Sequence, residues 1–130
     1  MLRGLLIRSP YIDWILGGSK SWEIRGSATR KRERIALIQS GSGVVVGTAD
    51  LADVIGPLSD REYWSNARKI GIKKSELSRN FRYERTFAWV LKNPRRLKTP
   101  VPYRHPYGSI IWVKLDPDVQ AAISRQRRSI

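Results

Sequence analysis

Apolar residues change period several times along this chain, and each change marks a new element. Leu2 to Arg8 is mostly apolar and reads as a strand. Ser9-Pro10 then offers an N-cap and a first helical residue, followed by Ile12, Ile15 and Leu16 at helical spacing. Gly17-Gly18 stops that helix. Lys20 to Arg25 is the next strand, closed by Gly26-Ser27. Arg34 to Ser40 and Val44 to Thr48 form a pair around the turn Gly41-Ser42-Gly43, the second continuing through Leu51 to Ile55. Ser59-Asp60-Arg61-Glu62 fits a capping box that opens a helix running to Lys69, with Gly71 as its stop. Ser75 to Asn80 suggests a further turn. Phe87 to Leu91 is a strand ended by Asn93-Pro94, and Ile110 to Leu115 is the last. Asp116-Pro117 caps a short helix through Ala121, Ala122 and Ile123. About six short strands with helices in the connections predict an α+β domain built as a small barrel. One domain spans 1–124, and 125–130 (Arg125-Gln126-Arg127-Arg128 and beyond) is a frayed basic tail.

Composition narrows the chemistry. The 130 residues include no cysteine, which excludes disulfides, thiolate catalysis and cysteine-bound zinc. The single histidine, His105, excludes a histidine-rich metal site and reads as structural. No apolar run is long enough to span a membrane, and the opening one is too short for a signal peptide, so the expected location is cytoplasmic. Lys and Arg total 25 against 11 acidic residues, a net charge of +14. That balance favours a polyanionic partner over a merely solvated surface. Residues 35–60 carry no basic side chain, so the charge gathers on the opening segment and the middle connection. Arginine predominates, and its planar fork suits phosphate and stacks on bases.

The densest polar group on an ordered element is Gly18-Ser19-Lys20-Ser21-Trp22-Glu23-Ile24-Arg25. In a regular strand Ser21, Glu23 and Arg25 share one face, turned to solvent or a cleft, while Trp22 and Ile24 face the core. Lys20 has the wrong parity for that trio unless the strand has not yet begun there. A confined lysine can serve as base or nucleophile, a glutamate can relay a proton, and an arginine can hold a phosphate or an oxyanion. An ordinary cross-strand ion pair is the alternative. Asp50 and Asp53 lie on opposite faces of a strand, which disfavours paired acid–base work. Of the five tryptophans, Trp14, Trp22, Trp89 and Trp112 fall on ordered elements and Trp64 on the middle helix; one exposed among arginines would stack a base. Tyr103 and Tyr107 flank a proline-rich loop and would line a cleft.

Several segments in order carry a resemblance. They are Leu5 to Tyr11 leading to Trp14-Ile15-Leu16-Gly17-Gly18, the Gly-x-Lys-x-x-Glu-x-Arg motif of Gly18, Lys20, Glu23 and Arg25, Ala88-Trp89-Val90-Leu91 before Asn93-Pro94, and Pro100-Val101-Pro102-Tyr103 with Pro106-x-Gly108. Together they resemble the ASCH domain family, whose fold is like that of the PUA RNA-binding domains. The resemblance implies a small β-barrel with a cleft beside the motif, and contact with RNA or its components. Some small bacterial members look like amidohydrolases acting on N4-acetylcytidine, and others have been considered ribonucleases. In the amidohydrolase pattern a lysine corresponds to Lys20 and a threonine stands three positions on, where this chain has Glu23. A second glutamate completes that pattern, with Glu76 and Glu84 both available for its place.

Three readings follow. In the first, the chain is an RNA-binding module: Lys20 and Arg25 contact the ligand, Arg30, Lys31 and Arg32 guide the backbone, and Arg82, Arg85, Arg95 and Arg96 extend the track. In the second it is a hydrolase acting on RNA or a modified nucleoside, with Lys20 as base, Glu23 as proton relay and Tyr103 as pocket donor. No cofactor is implied except for a nuclease, where Glu23 and a partner carboxylate would hold a divalent ion. In the third it is an adaptor with no site of its own.

Overall fold

The computed structural model describes residues 2–71 and 84–128. One sheet contains β1 (Arg3–Ile7), β2 (Trp22–Arg25), β3 (Arg34–Gln39), β4 (Val44–Ile55), β5 (Phe87–Pro102) and β6 (Trp112–Lys114). Its spatial order is β2-β5-β4-β3-β1-β6. β1 and β3 run parallel, and the other neighbours are antiparallel. The connections hold α1 (Tyr11–Leu16), α2 (Asp60–Ser65) and α3 (Ala67–Ile70), and α4 (Pro117–Arg128) follows β6. This is the expected α+β architecture. No helix among the described residues is long and apolar enough to cross a membrane.

Alternation assigns the strands to two packed faces. Leu5 and Ile7 of β1, Ile35 and Leu37 of β3, and Phe87, Trp89 and Leu91 of β5 join Ile12 and Ile15 of α1 in one cluster. Leu6, Ala36, Ile38, Val45 and Val113 face the other way, against Val119 and Ile123 of α4. A third, smaller cluster packs Tyr63 of α2 and Ile70 of α3 on Trp22 and Ala88.

The sheet is curled into a half-barrel. Trp89 on β5 and Trp112 on β6 are separated by three strands in the sheet order, yet their rings stack with centroids 5.7 Å apart. The face carrying α1 is therefore the concave one.

Several boundaries differ from the sequence expectation. Pro10, not Ser9, occupies the N-cap of α1, without a side-chain cap. The Ser59–Glu62 capping box is present as expected. Asn93-Pro94 does not end β5, which runs on to Pro102. Thr48 faces Arg95 while Asp50 faces Lys92, so β5 carries one residue more than β4 there. That bulge absorbs Pro94, whose missing N–H would break a regular ladder. Asn93 takes a φ of 51° and donates from Nδ2 to Asp50 Oδ2 at 2.8 Å. At the chain end Arg125 to Arg128 continue α4 rather than fraying. The turn suggested at Ser75 to Asn80 lies outside the described residues.

Candidate functional site

β2 begins at Trp22, so Lys20 stands in the turn before it and escapes the strand's parity. Within β2, Trp22 and Ile24 pack toward α2 and α3 in the third cluster. Glu23 and Arg25 therefore point the other way. Their register partners are Trp89 and Phe87, both in the concave cluster. The polar pair thus faces the inside of the half-barrel. Of the two directions expected for this face, solvent or a cleft, the inside of the half-barrel is the one taken: Glu23 is 8% exposed, and Lys20, which stands before the strand, is 5% exposed.

A connected network makes that burial tolerable. Arg25 donates from Nε and Nη2 to Glu23 Oε2 at 3.2 and 2.9 Å. The same Nη2 donates to the Leu6 carbonyl at 2.6 Å. Lys20 Nζ donates to the carbonyls of Trp22 at 2.6 Å and Ile70 at 2.8 Å. It also lies 3.8 Å from Glu23 Oε1. Burial pushes the Lys20 ammonium below the ordinary lysine value of 10.5; Glu23 opposes that shift and Arg25 adds to it. The Ser21 N–H donates to the Lys69 carbonyl at 2.9 Å, so backbone and side chain both clip this turn to α3. Gly71 closes the clip: its φ is 87°, and a Cβ there would lie 2.9 Å from Lys20 Cβ.

Aromatic rings and cations surround the network. The Arg25 guanidinium lies 5.6 Å from the centre of Trp89, which stacks on Trp112. Lys31 Nζ lies 5.3 Å from the centre of the Trp112 ring. Trp89 Nε1 donates to the Ser27 carbonyl at 2.9 Å. The β2–β3 loop therefore folds over the mouth of the half-barrel, held at Ser27 and at Lys31. On the α1 side, Lys20 Nζ lies 5.7 Å from the centre of Tyr11. The stacked tryptophans were the part of the site least visible in the sequence. Phe87 to Leu91 is apolar at every position, so the sequence signals a strand but no direction for Trp89, and its meeting with Trp112 depends on the curl.

The other expected residues divide. Arg30 and Arg32 lie on the same loop as Lys31, and Arg32 faces Asp53 at 3.7 Å. Arg85 lies over Phe87, the register partner of Arg25, at 5.6 Å. Arg96 pairs with Asp13 of α1 at 3.1 Å, and Arg95 is half-buried on β5; neither joins the motif network. Tyr103 does not join it either. It packs on the opposite sheet face, and its hydroxyl, raised above the usual tyrosine value by burial, meets His105 Nδ1 at 2.8 Å. Glu84 is exposed and outside the network, while Glu76 and Arg82 lie outside the described residues. Among the described residues, no three histidine, aspartate or glutamate side chains are grouped to hold a metal ion.

Comparison with known proteins agrees with this fold. An ASCH protein from Zymomonas mobilis superposes with a TM-score of 0.68 at 16% identity, covering 98% of this chain and 94% of that one. A point variant of it gives a TM-score of 0.71 at 16% identity, covering 95% and 96%. At such identity the likeness speaks for the fold. No curated protein matches in sequence. The sequence pattern of the ASCH domain matches residues 5–101, which include all of the Lys20–Glu23–Arg25 network, Lys31 and Trp89. The chain belongs to the ASCH domain family.

Proposed function

We propose that the chain binds RNA at the concave mouth beside Lys20, Glu23 and Arg25. The observation that carries this reading is the layered arrangement of Lys31, Trp112, Trp89 and Arg25 at that mouth. An indole with a cation over its ring, reached from a mobile-chain side such as lysine, is a surface on which a base can stack. An incoming base would take the place of the Lys31 ammonium on Trp112, and the displaced charge would remain near the phosphate. Arg30 and Arg32 on the same loop and Arg85 at the same end of the sheet would hold the backbone. Net charge and the family's association with RNA support the same reading.

The Lys20–Glu23–Arg25 network positions this surface. It uses up the fork of Arg25 on one side only: Nη1 has no hydrogen-bond partner among the described residues. That N–H pair is the donor the network offers to a ligand. Ultraviolet cross-linking of the protein to a short single-stranded RNA, followed by mass spectrometry, tests the assignment. Cross-links in peptides containing Trp112 or the 27–32 loop support it. Cross-links confined to α4 and the chain ends contradict it.

One observation favours hydrolysis of a modified nucleoside as a second reading. Lys20 is buried, its proton is loosened by that burial, and a carboxylate lies 3.8 Å away. Against it stand the two carbonyls that already accept from Nζ, an arrangement suited to holding the chain. Incubation with N4-acetylcytidine separates the readings: release of acetate that vanishes in a folded Lys20→Met variant favours hydrolysis.

A further inference from the structure

A cleft of about 400 Å³ lies between the Tyr103–Tyr107 segment and the start of α4. Its floor, Leu115 and Val119, belongs to the cluster on the convex face, away from the motif. Arg104, Tyr107, Lys114 and Asp116 stand around it, and all four are exposed. Neither Arg104 nor Lys114 has an ion-pair partner among the described residues.

The rim is built rather than loose. His105 Nε2 lies 2.9 Å from the Ser109 carbonyl, which can only accept, so Nε2 carries the proton. In the neutral ring Nδ1 then accepts from the Tyr103 hydroxyl at 2.8 Å. The Ser109 N–H donates to the Pro106 carbonyl at 3.3 Å, and Gly108 takes a φ of 83°, so the turn closes on itself. Tyr107 sits at the tip of that turn with its side chain fully exposed. Packing gives no reason for an aromatic ring there. An exposed ring on a closed turn, beside two cations without ion-pair partners among the described residues, is an arrangement that can stack a base and hold its phosphate.

We infer that this cleft is a second contact for single-stranded RNA, with one base stacked on Tyr107 and the adjoining phosphate held by Arg104 and Lys114. Asp116 opposes a polycarboxylate ligand and suits the amino N–H groups of a base, which favours a nucleotide over an acidic peptide. The inference rests on the RNA-binding reading and extends it from the concave mouth to the opposite face.

The test is fluorescence anisotropy of the full chain with labelled single-stranded RNA of about 12 nucleotides, long enough to reach past one site. Tyr107→Ala is expected to weaken binding at least about fivefold, while Tyr107→Phe, which keeps the ring, stays within about twofold. The double variant Arg104→Ser/Lys114→Ser is expected to lower the salt slope by about 0.7, the share of one phosphate on a single strand. Wild-type-like binding by Tyr107→Ala and by the double variant, with binding weakened in Trp112→Leu, overturns the cleft assignment and leaves the mouth assignment standing. No binding by the wild type overturns both. Polyglutamate that binds the wild type but not the double variant reassigns the cleft to acidic peptides and also overturns the inference.

Discussion

Arg25 donates from Nη2 to the carbonyl of Leu6 at 2.6 Å, across the gap that the backbone of the curled sheet leaves between β2 and β1. The two strands are not neighbours in the ladder, so a side chain performs the closure. The same nitrogen holds Glu23, and the half-barrel and the candidate site therefore depend on one guanidinium.

Replacing Arg25 by Ala leaves Glu23 buried with Lys20 as its remaining cation. Losing one partner of a buried pair costs about 3 kcal/mol, more than the pair itself contributes. Urea unfolding should show that loss for Arg25→Ala and a smaller one for Arg25→Lys, which keeps the charge without the fork. The double variant Arg25→Met/Glu23→Met should be more stable than the sum of the single losses implies. Additive losses would refute the coupling.

The lowered Lys20 value has a definite sign. The folded protein gives up this proton more readily than the unfolded chain, whose lysine keeps the ordinary value of 10.5. Below the folded value both states hold the proton and the cost of burying the charge is fully present. Between the folded value and 10.5 the unfolded state binds more protons, so stability rises with pH through that window. Urea midpoints of the wild type minus those of Lys20→Met should therefore climb as pH increases toward 10.5. Subtracting the variant removes the other groups that titrate there. A flat or falling difference would show that Lys20 does not carry a depressed value.

Gly71→Ala addresses the clip between the motif and α3. The left-handed φ of 87° is strained for alanine, and its Cβ would press on Lys20 Cβ. Strain of this kind costs about 1–3 kcal/mol. Thermal unfolding should register the loss, and RNA binding measured well below the transition should weaken with it. A variant as stable as the wild type would mean that this approach is not tight in solution.

Much of the sheet was legible because a short apolar run bounded by turn residues is a local signal. The faces of β1 and β3 were not: Leu5 to Ile7 and Ile35 to Ile38 are apolar throughout, and both of their faces are buried. The Ser59–Glu62 box was legible for the same reason: both partners lie within one turn. The motif was visible as a cluster, and parity sets Glu23 and Arg25 opposite Trp22 and Ile24, with the apolar pair toward the core. Whether the charged pair meets solvent or a cleft was not legible. The third cluster, made with α2 and α3, takes Trp22 and leaves the charged pair inside the curl. Lys20 finds Ile70 fifty residues away, a contact no spacing announces. The length of β5 was missed because Asn93-Pro94 reads as a terminator, and only its partner β4 reveals a bulge. The pairing of Trp89 with Trp112 needs the curl of the whole sheet.

The central claim is that the concave mouth takes RNA through a stacking surface. Its most direct test is the affinity for short single-stranded RNA at about 50 and 200 mM salt, wild type beside Trp112→Leu, with folding confirmed by urea unfolding. Leucine keeps apolar contact with Trp89 and removes the ring. The account predicts binding that falls with salt and an affinity about tenfold or more weaker in Trp112→Leu, within the range for loss of one stacked base. Equal affinity of the two folded proteins, or no salt-dependent binding by the wild type, would contradict it.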